Sequence, residues 1–285
     1  MSNVIVKIEK IDVEDVLLNN KDKYNNNNHW DNGKPNDYYE VLAKSNTGNW
    51  IDAFHSNYKT ITIDKYNLTW MKEAFQVGRF TGTFSKLFDE DLNDMLIEYK
   101  EQTDKLFDGT KYFIRTEKVS LKYGQHKEGP YTNFQSIIES MVTSIDGHTC
   151  FDNDDIECKI YLMTWLEDFD FEKEFRIFVY KNHITAISQQ NLFAHNKWLS
   201  SKTNEELSKL VNKIVTFFNN NIRDKIKLDN FVMDLGLIGD DENPYFIEPN
   251  SFGKEYASGS SLFCWLNNYD ELYNDTNTNV SFRFA

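Results

Sequence analysis

Three oxygen-donor side chains are spaced as a divalent cation would need them: Asp234 in "FVMDLGLIG", and Glu248 and Asn250 in "PYFIEPNSFG". Glu248 and Asn250 stand two apart at the end of an apolar strand, so alternation points both to one side. The stretch "GDDENP" (239–244) reads as the turn joining that strand to the one carrying Asp234, which can then face the same way. Two carboxylates and an amide oxygen are hard donors. They suit Mg²⁺, which takes few protein groups and completes its shell with waters and phosphates. An acidic hairpin rim on an acidic protein would leave the same pattern, and spacing alone keeps both readings open.

An anionic ligand would also need cations. "YFIRTEKVSLKYG" offers Arg115, Lys118 and Lys122, and "EFRIFV" offers Arg176. Arg176 sits in the middle of an apolar strand, where a cation is costly unless paired, and it alternates with Glu174 and Phe178. It is either a ligand-binding group or half of a structural ion pair with Glu174 or a facing strand. His126, His148 and His195 lack zinc spacing, and the P-loop, dinucleotide-binding and nucleophile-elbow signatures do not occur.

The elements that must carry these groups are legible in the apolar pattern. Helical stripes run through Leu92, Met95, Leu96, Tyr99 and Leu106; through Phe134, Ile137, Ile138, Met141 and Val142; and through Leu207, Leu210, Val211, Ile214 and Phe218. Thr203 and Glu206 form a capping box at the start of the third. Strand-like segments are "KYFIRTEKVS", "CKIYLMTWLE", "EFRIFVYKN", "HITAISQQN", "NFVMDLGLIG" and "NPYFIEPNS", with a tight connection at "YKNH" (180–183). Helices alternating with hairpins predict α+β layers rather than a doubly wound parallel sheet. The Asn-rich tract 19–37 reads as a loop or disordered insertion.

The chain has 285 residues and a formal charge of −14. Such acidity argues against broad binding of a nucleic-acid backbone, although one local cleft could still hold a nucleotide. Cys150, Cys158 and Cys264 are odd in number and lack metal-ligand spacing, which points to reduced thiols. The start, "MSNVIVKIEKIDVEDV", has acids where a signal peptide needs an apolar core, and no apolar run reaches membrane-span length. The expectation is a soluble cytoplasmic protein.

Together these motifs resemble the ATP-grasp superfamily, whose terminal pattern is an acid on one strand and Glu-x-Asn on the next; Asp234, Glu248 and Asn250 match it. More narrowly, the chain resembles the cell-division-cycle protein 123 family. "EFRIFVYKNHITAISQQN" is similar to that family's Glu-Phe-Arg-x-Phe-Val segment with a following Ser-Gln pair, here Ser188 and Gln189. "SSLFCW" (260–265) is similar to its closing Leu-Phe-Ser-Trp. The resemblance implies an α+β ATP-grasp fold, two lobes whose antiparallel sheets clamp a nucleotide. The corresponding parts would be an N-terminal segment with the Asn-rich loop (1–48), an N-terminal lobe (49–160) and a C-terminal lobe (161–285).

The same resemblance implies site roles. Backbone groups of Met163, Thr164 and Trp165 would read adenine, Arg115 and Lys122 would hold phosphates, and Arg176 would meet the distal phosphate. Asp234, Glu248 and Asn250 would ligate Mg²⁺ on ATP. Departures from the family pattern are Glu-x-Asn for Asp-x-Asn, Arg115 for a lysine, Leu121 and Tyr123 around Lys122, and Gly259 for an aspartate. The implied function is ATP-dependent assembly of translation initiation factor 2 through its gamma subunit, or through another protein partner. The alternative is a carboxylate–amine ligase working through an acyl phosphate, with Arg176 and Lys122 as its catalytic cations.

Overall fold

The computed structural model describes residues 4–26, 30, 33–145, 147–152, 154–256, 258–276 and 278–285. Residues 27–29, 31 and 32 of the Asn-rich tract therefore lie outside the described residues, and the helix Val13–Lys23 runs into its start. The chain divides into two compact units: Met1–Ser45 with Asp168–Ala285, and Asn46–Glu167.

The first unit is built on a six-stranded sheet. Its strands are β1 (Ile5–Lys10), β5 (Glu174–Tyr180), β6 (His183–Gln189), β7 (Phe231–Ile238), β8 (Asn243–Asn250) and β9 (Asn279–Phe284), in the order β1-β9-β6-β5-β7-β8. β6, β5, β7 and β8 are antiparallel each to the next, but β9 is parallel to both β1 and β6. The sheet is thus mixed, not antiparallel as expected, because the two strands at the ends of the chain come back into it by long connections. The β5–β6 turn places Lys181 and Asn182 at φ 47° and 60°, the left-handed pair of a two-residue hairpin.

Thr203 caps the helix Asn204–Phe217, and the reciprocal Glu206 bond is present. That helix buries Leu207, Leu210, Val211 and Ile214, and Phe218 in the following turn lies 6.3 Å from Phe231 of β7. The expected stripe is therefore the buried face.

The second unit holds an antiparallel sheet, β2 (Tyr58–Ile63), β3 (Tyr112–Thr116) and β4 (Cys158–Thr164), with β4 in the centre. Its helix Lys65–Thr81 adds to the three that the apolar stripes pick out. It starts at an Asp64 cap and ends at Gly82 with φ 67°. This helix crosses Phe134–Thr143 closely at Gly78, where a Cβ would meet the Val142 carbonyl oxygen at 2.1 Å. The Leu92–Leu106 stripe, expected as one helix, is two: Asp89–Glu98 and Lys100–Leu106. Tyr99 breaks it, its hydroxyl donating to the Thr62 carbonyl at the end of β2.

Among the described residues no helix is long and apolar enough to cross a membrane. Cys150, Cys158 and Cys264 are all free and buried. Burial pushes the Cys158 thiol up to about 12 and the Cys150 thiol well above its ordinary value. Native protein at pH 8 is expected to leave all three thiols unreacted with a disulfide reagent until denaturant is added. Rapid labelling of Cys150 or Cys158 in the folded state would contradict this burial.

Candidate functional site

Arg176 and Asp234 face each other across β5 and β7, in direct register. Arg176 Nε donates to Asp234 Oδ1 at 2.9 Å and Nη2 donates to Oδ2 at 2.8 Å, a bidentate fork. Their side chains are 12% and 1% exposed, so the pair is almost fully desolvated. Burial alone would push the guanidinium down. The Asp234 charge and hydrogen bonds outweigh it and hold Arg176 above its ordinary value, with Glu248 and Glu174 adding to the effect. Of the two structural partners open to Arg176 in the sequence, the facing strand supplies the ion pair. Gln190 Nε2 adds a longer bond to Asp234 Oδ2 at 3.3 Å.

This pair is the middle of a row that crosses all six strands. Glu9 registers with Arg283, Arg283 with Ser188, Ser188 with Arg176, Arg176 with Asp234, and Asp234 with Glu248. Residues in register share a sheet face, so one face carries a polar stripe. Asn250 lies two residues beyond Glu248, paired with Val232. The β-bulge falls beside Asp234, between its pairing and that of Leu235 with Phe246, and leaves Ile247 as the extra residue. Glu248 and Asn250 keep alternation past it.

Three members of the row pin the closing segment. Arg176 Nη1 donates to the Gly259 carbonyl at 2.9 Å, Ser188 Oγ accepts from Leu262 N at 3.2 Å, and Arg283 Nη1 donates to the Leu262 carbonyl at 3.2 Å. Arg283 also binds Glu9 at 2.8 Å and stacks over Phe263. Sequence reasoning passed over Arg283, although "SFRFA" flanks it with apolar residues just as "EFRIF" flanks Arg176. Gly259 stood out in sequence only as a departure from the family pattern; the use of its backbone carbonyl carried no sequence signal.

The donor set can be weighed against Mg²⁺. Among the described residues no three His, Cys, Asp or Glu side chains gather as a metal cluster. Mg²⁺ carried by a nucleotide needs only one or two carboxylates beside its phosphates, so Asp234, Glu248 and the Asn250 amide are sufficient in kind. Among the described residues the Asn250 Nδ2 donor is buried with no hydrogen-bond partner. Such an orphan costs about 1–3 kcal/mol; a water or a phosphate oxygen would satisfy this donor, whereas a metal would take Oδ1.

The remaining expected residues belong to the other unit. Arg115 is 3% exposed, stacks over Trp50 at 5.3 Å and leans on Thr47 Oγ1 at 3.5 Å, so packing holds it inside. Lys118 binds Asp152 and Asp155 at 2.5 and 3.2 Å. Lys122 is half-buried, its ammonium 5.5 Å from the Tyr123 ring. Met163 is flanked by Tyr58 and Phe113 in the two ladders of β4, and Trp165 N donates to the Lys111 carbonyl at 3.0 Å. Thr164 is exposed at the end of β4.

Asp234→Ala is expected to cost about 3–5 kcal/mol in urea unfolding, because it strands a buried guanidinium. Replacing both partners, Arg176→Met with Asp234→Leu, should recover most of that loss. A single-variant cost under about 1 kcal/mol would mean that the pair is effectively solvated.

None of the curated proteins matches the chain in sequence. Solved structures that share its fold include two of Cdc123. Cdc123 from Schizosaccharomyces pombe is 16% identical with a TM-score of 0.58, covering 86% of this chain and 98% of its own. A C-terminally truncated Cdc123 from the same organism has the same identity and coverages, with a TM-score of 0.57. D-alanyl-alanine synthetase A from Vibrio cholerae superposes with a TM-score of only 0.29, too low to bear on fold. The D123 family model matches residues 134–285, which take in Arg176, Asp234, Glu248, Asn250 and more than half of the chain, and the protein therefore belongs to the D123 family.

Proposed function

We propose that this D123-family chain binds Mg-ATP as an ATP-grasp protein and uses it as an assembly chaperone of a protein partner. The gamma subunit of translation initiation factor 2 is the first partner to test. The observation that carries the reading is the Arg176–Asp234–Glu248 row, which ends beside the orphaned Asn250 amide. A buried cation and two carboxylates on one sheet face form a fixed charge pattern on which a nucleotide's phosphates and its metal can be matched.

Mg²⁺ would neutralise phosphate charge, with Asp234, Glu248 and Asn250 holding it. Arg176 spends Nε and Nη2 on Asp234 and Nη1 on Gly259, so its orientation is set before any ligand arrives. That pre-organisation lowers the entropy cost of meeting a phosphate. Lys122 is the better phosphate-binding cation of its segment, because Arg115 is packed under Trp50 and Lys118 is bound to two aspartates. Adenine would be read at the exposed end of β4 around Thr164 by groups other than the Trp165 amide, which the sheet already uses. Residues 49–160 and 161–285 remain the proposed extents of the two nucleotide-binding lobes.

Calorimetric titration of Mg-ATP is the direct test. Wild type is expected to bind in a Mg²⁺-dependent manner, and Glu248→Ala with Asn250→Ala to lose at least about 10-fold in affinity. A folded wild type that shows no heat of binding would sink the nucleotide reading. With ATP present the protein is expected to capture the initiation-factor gamma subunit. ADP release that instead depends on an added amine or carboxylate acceptor would identify it as a ligase.

A further inference from the structure

The N-terminal segment, to which the sequence assigned no role, reaches the site through Asn25. A Cβ built on Gly259 would lie 2.4 Å from Asn25 Oδ1 and 3.4 Å from Arg176 Nη1. Gly259 is not among the residues with positive φ. Its backbone would therefore accept a side chain, and it is the Asn25 amide that fills the space. Gly259 is also the residue whose carbonyl takes the third donor of Arg176, at 2.9 Å.

Asn25 is held firmly in that position. Its backbone N lies 2.8 Å from the Ser261 carbonyl and 2.9 Å from that of Phe263, and its Oδ1 accepts from Ser261 N at 3.1 Å. Asn25 and Ser261 both adopt left-handed backbone, φ 45° and 48°, so two tight turns interlock. Asparagine tolerates that region better than most residues. Next to it, Asn26 N donates to Ser260 Oγ at 3.1 Å and Asn26 Oδ1 accepts from Trp265 N at 2.7 Å. Residues 25 and 26 thus clasp the 258–265 segment, but only Asn25 touches the volume beside Gly259.

We propose that Asn25 is a positioning residue of the nucleotide site: its side-chain amide replaces a residue-259 side chain and sets the Gly259 carbonyl against Arg176. The role rests on the Mg-ATP reading above. If the carbonyl moves, Nη1 loses its acceptor and the guanidinium can turn about its fork with Asp234, which changes the edge it offers a phosphate. Asn25 acts through Gly259 and Arg176, so its loss should weaken ligand binding beyond its effect on folding.

The test is Mg-ATP calorimetry on the full chain, with a thermal melt of each variant. Asn25→Gly keeps the left-handed backbone and removes only the amide, and is expected to bind about 10-fold more weakly than wild type. Adding Gly259→Asn to Asn25→Gly moves the amide to the other side of the gap and should restore most of the affinity. Gly259→Asn alone crowds two amides into one space and should bind more weakly than that double variant. Asn26→Ala loosens the clasp without reaching Gly259, so it should lower the melting temperature while holding affinity within about 2-fold.

Wild-type affinity in Asn25→Gly, an equal loss in Asn26→Ala, or a double variant no tighter than Asn25→Gly would each overturn this role and leave the nucleotide reading standing. A wild type that binds no Mg-ATP overturns both. Should Asn25→Gly fail to fold, the comparison of Gly259→Asn with the double variant decides alone.

Discussion

A guanidinium placed in the middle of an apolar sheet has to find a carboxylate, and the pairing of Arg176 with Asp234 meets that demand. The fork is satisfied only if β5 and β7 are neighbours in this register, because a slip of one residue would turn Asp234 to the opposite face. The pair therefore acts as a register lock as well as a charge pair. Glu248 follows from it, since β8 pairs with β7 at the same level.

The same row explains why so much of the chain's end is tied to one sheet face. Arg176, Ser188 and Arg283 each have a hydrogen-bonding group left after their in-sheet contacts, and each uses it on the 259–262 backbone. Immediately beside the row the face turns apolar, with Phe178, Val232, Phe252, Phe263 and Trp265 in one cluster. Dry neighbours lower the local dielectric, so the charges of the row act more strongly on one another than they would in water. Fold kinship with Cdc123 says nothing about these charges by itself; they are properties of this chain's residues.

Arg176 and Arg115, one in each unit, have different neighbours. Arg176 sits in a carboxylate fork with an orphaned amide near the end of its row. Arg115 is stacked on an indole and leans on a threonine hydroxyl. In sequence both are a cation within a β-strand, and nothing local distinguishes them. Long-range packing does: Trp50 and Thr47 lie more than sixty positions before Arg115, and Asp234 fifty-eight after Arg176.

Local chemistry made much of this protein legible. Thr203 and Glu206 mark a helix start because their reciprocal bonds need only one turn of chain, and "YKNH" marks a hairpin because its turn needs two residues able to take positive φ. Alternation was enough to set Glu248 and Asn250 on one side of a strand. Tyr99 splitting a helix to reach Thr62, and β9 entering the sheet parallel to β1 and β6, carry no such local signal.

The sequence by itself determined the α+β class, the hairpin carrying Asp234 and Glu248, and the abnormal placement of Arg176. Each depends on periodicity or residue type within about fifteen positions. Only the tertiary structure decided that Arg176 takes Asp234 rather than Glu174, that Arg283 joins the same row, and that Asn25 fills the space beside Gly259. Those choices are contacts between segments tens to hundreds of residues apart. They are settled by strand order, register and the requirement that buried polar groups find partners, none of which a local pattern encodes.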